Sequence, residues 1–298
     1  MSTTMRSMPL STAYLRHFRG RARRPWIERI ALAMVGLLVF IACFGRLLAP
    51  DSPFQVNNSL SLQPPSAAHW FGTDFSGRDI LSRVLYGAPT TIGASVLAVL
   101  CAVALGLIVA SIAVTGGRWV DEVLMRCCDV VLALPVMIMA LGVAMALGPS
   151  LRSAVIAMIV AWTPSFARLA RAEMRTTLAS TFVESARVMG VGRTRLLLRH
   201  VLPNSLDTVY VQATLEMGGA TIIMAGMAYI GAGSQPPSAD WGLMVQEGTS
   251  YLNTAWWASI IPGAMIALTA LAFGLAGDAL RRRTPGPAAR LASGGATS

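Results

Sequence analysis

Residues 90–115 read TTIGASVLAVLCAVALGLIVASIAVT, a run without a single charged side chain. About 20 apolar residues in a helix cross a hydrocarbon layer of roughly 30 Å, so this stretch is long enough to span a membrane. Similar runs cover residues 30–48, 123–147, 153–166, 208–232 and 255–276. The run at 153–166 is short unless its helix continues toward Arg171. The sequence therefore predicts an all-α membrane protein with six transmembrane helices.

The composition agrees with this prediction and excludes several kinds of function. Hydrophobic residues make up 54% of the chain, charged residues 13%, and the mean hydropathy is +0.59. These values are too apolar for a soluble protein of this length. The formal charge of +10 comes from arginine alone, because the sequence contains no lysine. A nucleotide-binding P-loop and Schiff-base catalysis both need a lysine, so both are excluded.

Arginine is distributed unevenly between the two sides of the predicted membrane. If the N-terminus lies inside, only four of the 24 arginines fall in outer segments: Arg46, Arg78, Arg83 and Arg152. Cytoplasmic segments of membrane proteins carry an excess of Lys and Arg. We therefore expect both termini to be cytoplasmic, and we expect the positive charge to meet membrane lipid, with no nucleic-acid partner.

The predicted spans divide the chain into four parts. Residues 1–28 form an arginine-rich cytoplasmic tail, and residues 29–89 contain the first transmembrane helix and an external loop. Residues 90–280 form a core of five helices with a cytoplasmic loop at 182–205, and residues 281–298 form a second cytoplasmic tail. The two long connections are expected at 49–89 outside and at 168–207 inside.

The cytoplasmic loop reads FVESARVMGVGRTRLLLRHVLPN over residues 182–204. Its apolar positions predict two short amphipathic helices, with Gly190 and Gly192 at a sharp turn between them and Pro203 ending the second. A helix pair of this kind beneath the membrane is suited to a groove on a soluble partner.

This loop resembles the EAA loop of ABC importer permeases in residues and in spacing. The matching positions are Glu184, Ala186, Gly190, Leu202 and Pro203, while Ser185 and His200 depart from the family pattern. Further segments are similar to the C-type permease subunit of the dipeptide/oligopeptide branch. They are HWFGTDFSGRD at 69–79, DVVLALP at 129–135, ARLARAE at 167–173, QPP at 235–237 and WG at 241–242.

The resemblance implies the type I ABC importer permease fold and a function in peptide import across the bacterial plasma (inner) membrane. It implies a second permease subunit, two ABC ATPase domains or subunits, and an extracytoplasmic substrate-binding protein as partners. ATP and Mg would be bound by those ATPases, so the chain itself would be no enzyme and would hold no cofactor. The loop would dock on one ATPase through Glu184, Ser185, Ala186, Gly190, Arg193, Leu202 and Pro203.

The external motif combines turn-forming glycines with side chains that form hydrogen bonds and ion pairs: Gly72, Thr73, Asp74, Gly77, Arg78 and Asp79. We expect a well-ordered element. Two interpretations stay open at this point, a surface that receives the binding protein and a scaffold that holds the first span against the others.

Glu216 is the one carboxylate deep within an apolar run, so it should face protein or a watered cavity. With Gln212 and Met217 it is a candidate for the lining of the passage. It would attract the ammonium end of a peptide, or it would pair with an arginine of the partner permease. Met224 stands where C-type relatives often carry glutamate. The cysteines and histidines are scattered, so no metal site is expected.

Other functions remain as alternatives. A secondary transporter driven by an ion gradient would call for several ionisable groups within the membrane, and a membrane-embedded enzyme would need a nucleophile or metal constellation. Within the importer class, the family resemblance also allows haem, nickel or glutathione as the substrate.

Overall fold

The computed structural model describes residues 25–283, which form ten α-helices joined by loops. The helices are α1 (Pro25–Leu48), α2 (Ile80–Thr115), α3 (Arg118–Leu132), α4 (Val136–Leu147), α5 (Leu151–Leu178), α6 (Thr181–Val188), α7 (Arg193–Leu196), α8 (Leu202–Tyr229), α9 (Trp241–Thr249) and α10 (Trp257–Arg283). No strand occurs among these residues, which have one isolated bridge between Thr73 and Asp79. Most of the two predicted tails lies outside the described range.

Four of the helices, α1, α2, α5 and α10, are long and apolar enough to cross a membrane, and α3 with α4 makes a fifth if the pair is one span. Helix α8 has 28 residues but does not belong to this group. It carries Gln212 and Glu216, whose polar side chains lower its hydropathy. The all-helical membrane fold is confirmed, and the count of six spans stays a prediction.

The predicted span over residues 123–147 is not one continuous helix, because α3 and α4 divide it. The chain bends by 91° between α3 and α4. Pro135 precedes α4 immediately, and proline disfavours helical geometry in the residue before it. Proline also has no N–H for a continuing helix. The segment is therefore a broken span or a re-entrant element.

The connection predicted at residues 168–207 on the cytoplasmic side is shorter than expected. Helix α5 continues to Leu178, well past Arg171, and α8 already begins at Leu202. Pro203 does not end a helix: it is the second residue of α8 and follows directly on the π-helical turn Leu197–Val201, a local change of hydrogen-bond register next to the proline. Residues 179–201 thus form the whole loop.

Small residues allow the long helices to pack closely. Helices α2 and α5 bury alanines against each other, including Ala98, Ala102 and Ala157. A Cβ atom on Gly106 of α2 would lie 2.7 Å from the Cβ of Phe166, so only glycine permits this approach. Close packing of small residues is a principal source of helix association in membranes. The α2–α5 pair is therefore the rigid centre of the protein.

Helix α9 is fixed against the N-terminal part of α2. Asp240 caps its N-terminus by accepting hydrogen bonds from the N–H groups of Gly242 and Leu243, and the Thr91 hydroxyl also donates to it. Burial raises the pKa of the Asp240 carboxyl, although these hydrogen bonds oppose the shift. Next to it, fully buried Trp241 donates its indole N–H to the carbonyl oxygen of Val84, 2.9 Å away.

Candidate functional site

The loop at residues 179–201, predicted to be cytoplasmic and called the cytoplasmic loop here, contains the two short helices that its sequence predicts, α6 and α7. Buried Val183 and Ala186 of α6 join the main core together with Leu196 and Val201. Gly190, between the helices, has a φ of +82°, a region that side chains rarely adopt. A π-helical turn, Leu197–Val201, leads directly into α8. The loop is therefore anchored by its inner face and connected without a break to a long core helix.

The outer face of this loop exposes apolar side chains. Val188 is 84% exposed and Met189 is 77% exposed, directly before the Gly190 turn. Five of the residues assigned to ATPase docking are exposed as well: Glu184, Ser185, Gly190, Arg193 and Pro203. Ala186 is buried and Leu202 is partly buried. Large apolar groups exposed at the tip of an anchored loop indicate a surface that another protein or the membrane covers.

The external motif forms a compact turn whose polar side chains point inward. Thr73, Asp74, Arg78 and Asp79 are all at most 5% exposed. Asp74 accepts hydrogen bonds from the backbone N–H groups of Ser76 and Arg78. Gly72 and Gly77 have φ values of +73° and +70°, which the tight turn requires. The backbone of the motif is thus shaped around its own aspartate.

The same aspartate belongs to a buried group of four charges, Asp74, Arg78, Arg83 and Glu247, here called the outer ion cluster. Arg78 Nε donates to Asp74 at 2.6 Å, and Arg83 also pairs with Asp74. Glu247 of α9 lies 3.1 Å from Arg78 and 3.0 Å from Arg83. Two positive and two negative groups balance, which burial requires. The cluster joins the external loop, α2 and α9.

Asp79 caps the N-terminus of α2, where it accepts hydrogen bonds from the backbone N–H and the hydroxyl of Ser82. The Nδ1 atom of His69 lies 3.0 Å from Asp79 and 3.9 Å from Asp51. Ligand atoms of these three residues fall within 4.8 Å of one another, a proximity that the sequence positions did not suggest. The hydrogen bond from imidazole to the helix cap accounts for this arrangement without a metal.

The candidate passage residues share one helix. Gln212 donates its amide N–H to Glu216 at 2.8 Å, and both side chains are partly exposed on α8. Met217 is partly buried and packs against both core clusters. Met224 is 6% exposed and its sulfur receives the Ser95 hydroxyl at 3.7 Å. Met224 therefore lies inside the helix packing, and Gln212 and Glu216 form the polar pair on the accessible side.

Sequence analysis missed a second set of ion pairs at the opposite end of the helices. Asp121 of α3 pairs with Arg171 and Arg175 of α5, and Asp129 lies 3.2 Å from Arg168. The signal was present in the spacing, because arginines three and four positions apart lie on one helix face. These pairs hold α3 against the end of α5 that leads into the cytoplasmic loop.

Known transport proteins resemble this chain both in sequence and in structure. Residues 102–284 match the family described as "Binding-protein-dependent transport system inner membrane component". The chain is 40% identical over 249 residues to the probable D,D-dipeptide transport system permease protein of Escherichia coli (strain K12), covering 83% of each chain. It is 37% identical over 268 residues to the dipeptide transport system permease protein of Alkalihalophilus pseudofirmus, covering 86% of this chain and 88% of that protein.

A third relative is the glutathione transport system permease protein of Escherichia coli O6:K15:H31, 38% identical over 267 residues, covering 89% of this chain and 88% of that protein. Among solved structures, an amino acid ABC transporter matches with a TM-score of 0.54 and 19% identity, over 68% of this chain and 94% of that one. The inward-facing MetNI methionine ABC transporter matches with a TM-score of 0.55 and 15% identity, over 68% of this chain and 97% of that one. At these identities the structures support the fold alone.

Proposed function

This chain belongs to the family of inner membrane components of binding-protein-dependent transport systems, and from that premise we propose how it works in its complex. It is a multi-pass permease subunit of an ABC importer. It hydrolyses no ATP itself, since the ATPase of such importers is a separate subunit. Its partners include an ATPase and a substrate-binding protein.

The proposed substrates are short peptides of the dipeptide class. Two relatives near 40% identity carry dipeptide or D,D-dipeptide transport in their names, over more than four fifths of the chain. Glutathione, itself a small peptide, is the second candidate because a relative at 38% identity is named for it. Uptake of labelled dipeptides and of glutathione by the assembled importer separates the two.

The coupling surface is the cytoplasmic loop, and the observation that carries this assignment is its exposed apolar tip. Val188 and Met189 leave more than three quarters of their surface uncovered, while Val183 on the other face of α6 is fully buried. A partner ATPase would cover this tip, and Glu184 and Arg193 at its edge would supply polar contacts. Because the π-helical turn continues into α8, movement of the loop would be transmitted to the helix that carries Glu216.

The test compares two glycines that differ in backbone geometry. A Cβ atom added to either Gly190 or Gly192 would meet no neighbouring atom within 4 Å, but Gly190 has φ +82° and Gly192 has φ −63°. Gly190→Ala should distort the turn at a cost of about 1–2 kcal/mol, because a left-handed backbone strains alanine. Gly192→Ala should be tolerated.

We expect Gly190→Ala to remain in the membrane while co-elution of the ATPase and stimulated ATP hydrolysis both fall several-fold. Gly192→Ala should match the wild type in both measurements. Full co-elution and full stimulation in Gly190→Ala would remove the docking assignment.

Within the passage, Glu216 is proposed to attract the ammonium end of the incoming peptide. Its carboxylate is partly exposed and accepts a hydrogen bond from the amide of Gln212. Among the described residues, no cationic side chain forms an ion pair with it. Glu216→Gln should raise the KM for dipeptide uptake several-fold and leave basal ATP hydrolysis unchanged. An unchanged KM and rate would eliminate this role and favour the alternative, an ion pair with the second permease subunit.

The assembly proposed around this chain has one further permease subunit, which forms a heterodimer with it, two ABC ATPase domains or subunits that hold ATP and Mg, and an extracytoplasmic binding protein. Both termini of this chain are placed in the cytoplasm, which follows from the arginine distribution. The external motif is assigned a scaffold role between the external loop, α2 and α9, because its charged side chains pair with those two helices; its predicted role in holding the first span stays a prediction.

A further inference from the structure

A cavity of about 440 Å³ lies between the cytoplasmic loop and the ends of two long helices. We call it the inner pocket, and it is lined by Val114, Thr115, Gly117, Leu178, Arg187, Val191, Arg193, Leu196 and Leu197. Leu196 and Leu197 are at most 9% exposed, and Val114, Leu178 and Val191 pack against the main core. The floor of the pocket is therefore apolar and well supported.

The charge of the inner pocket is positive. Arg187 and Arg193 are its charged lining residues, and no carboxylate lines it. Neither guanidinium makes an ion pair with any residue in the range 25–283. Arginine recognises phosphate groups through its planar set of N–H donors. Two such groups at the rim of an apolar pocket match an anion that carries a hydrocarbon portion.

The depth of the inner pocket points to lipid as the source of that anion. Helix α2 ends at Thr115, which is also the last residue of the apolar run 90–115. Val114 and Thr115 line the pocket, so the pocket is expected at the boundary between the hydrocarbon layer and the headgroups. Arginine-lined pockets at the cytoplasmic side of membrane helices are suited to anionic headgroups.

We propose that the inner pocket binds an anionic phospholipid of the inner leaflet. The phosphate lies between Arg187 and Arg193, and the upper part of an acyl chain lies against Val114, Leu178 and Leu196. The bound lipid would connect the ends of α2 and α5 with the cytoplasmic loop. This site shares Arg193 with the proposed docking surface but does not include the exposed tip at Val188 and Met189, and it rests on the proposed cytoplasmic orientation of the loop.

The experiment uses the whole importer complex, purified in nanodiscs that contain phosphatidylglycerol and a neutral phospholipid, with retained lipid counted by native mass spectrometry. The test variant is Arg187→Gln with Arg193→Gln. The control is Arg195→Gln with Arg199→Gln, which removes two exposed arginines from the same loop outside the pocket lining. Co-elution of the ATPase is recorded for each, so failure of coupling is seen separately.

Wild type and control should retain phosphatidylglycerol, and the test variant should retain at least fivefold less of it in complexes that still contain the ATPase. Equal retention in both double variants would overturn the proposal, as would a wild type that retains only neutral lipid. In a second arm, millimolar glycerol phosphate is added. It should not displace the lipid, and displacement from the wild type alone would assign the pocket to soluble phosphate esters instead.

Discussion

At the residue scale, Arg83 decides how the outer end of the protein is held together. It is 1% exposed, pairs with Asp74 and Glu247, and donates to the carbonyl oxygen of Ser238. One side chain thus contacts the external loop, α9 and the segment before α9. Removing a carboxylate would leave the buried arginine with an uncompensated charge, and removing the arginine would do the same to its carboxylate partners.

Arg83→Leu should therefore destabilise the folded subunit by about 3–5 kcal/mol, because Asp74 and Glu247 would share only Arg78 in a buried site. The apparent melting temperature in detergent measures this change. Arg152→Leu is the control, since Arg152 is exposed and forms no ion pair among the described residues. Equal melting temperatures for the two variants would contradict the structural role of the cluster.

The sequence predicted that the external motif would be ordered, but it did not predict Glu247 as its partner. Glycines, aspartates and an arginine within a few positions indicate a turn by local chemistry alone. Glu247 lies 164 positions after Arg83 and no local pattern distinguishes it from a solvent-exposed glutamate. Contacts that depend on how helices pack cannot be read from local spacing.

At the scale of elements, the bent pair α3 and α4 is the largest difference between expectation and structure. A continuous apolar run from 123 to 147 predicts one helix, because hydropathy carries no information about a bend in the chain. Pro135 was the local signal for the break. Once bent, α3 lies against α5, where Asp121 contacts Arg171 and Arg175.

Asp121→Asn tests this attachment. The neutral amide would lose two charge-assisted contacts, so the subunit should be destabilised by about 1–3 kcal/mol and its apparent melting temperature should fall. Glu122→Gln is the matched control, because the neighbouring Glu122 is exposed and has no ion pair in the described part of the chain. A control that loses as much stability as Asp121→Asn would show that the pairs to α5 contribute nothing specific.

Other elements followed from sequence with fair accuracy. The spans α1, α2, α5 and α10 agree with apolar runs, although α2 begins ten residues before the predicted start, at Ile80. The early start has a visible cause in the Asp79 cap. The apolar run at residues 208–232, which contains Gln212 and Glu216, predicted a span where α8 lies. The 28 residues of α8 are enough to cross a membrane, but its hydropathy is lower than that of the other long helices.

At the scale of the whole molecule, the chain has the features expected of one subunit of a larger transport complex. It has no lysine for a P-loop, an exposed apolar tip on its cytoplasmic loop, and a polar pair on one side of α8. The chain matches relatives named as permease proteins over more than four fifths of their length. We therefore expect transport to depend on energy that another subunit supplies.

Reconstitution into proteoliposomes tests this dependence most directly, with labelled dipeptide, a binding protein on the outer side, and ATP enclosed within. Dipeptide should accumulate only when the second permease subunit and the ATPases are present, and accumulation should stop when ATP is replaced by a non-hydrolysable analogue. Accumulation by this subunit alone, driven by an ion gradient without nucleotide, would contradict the account.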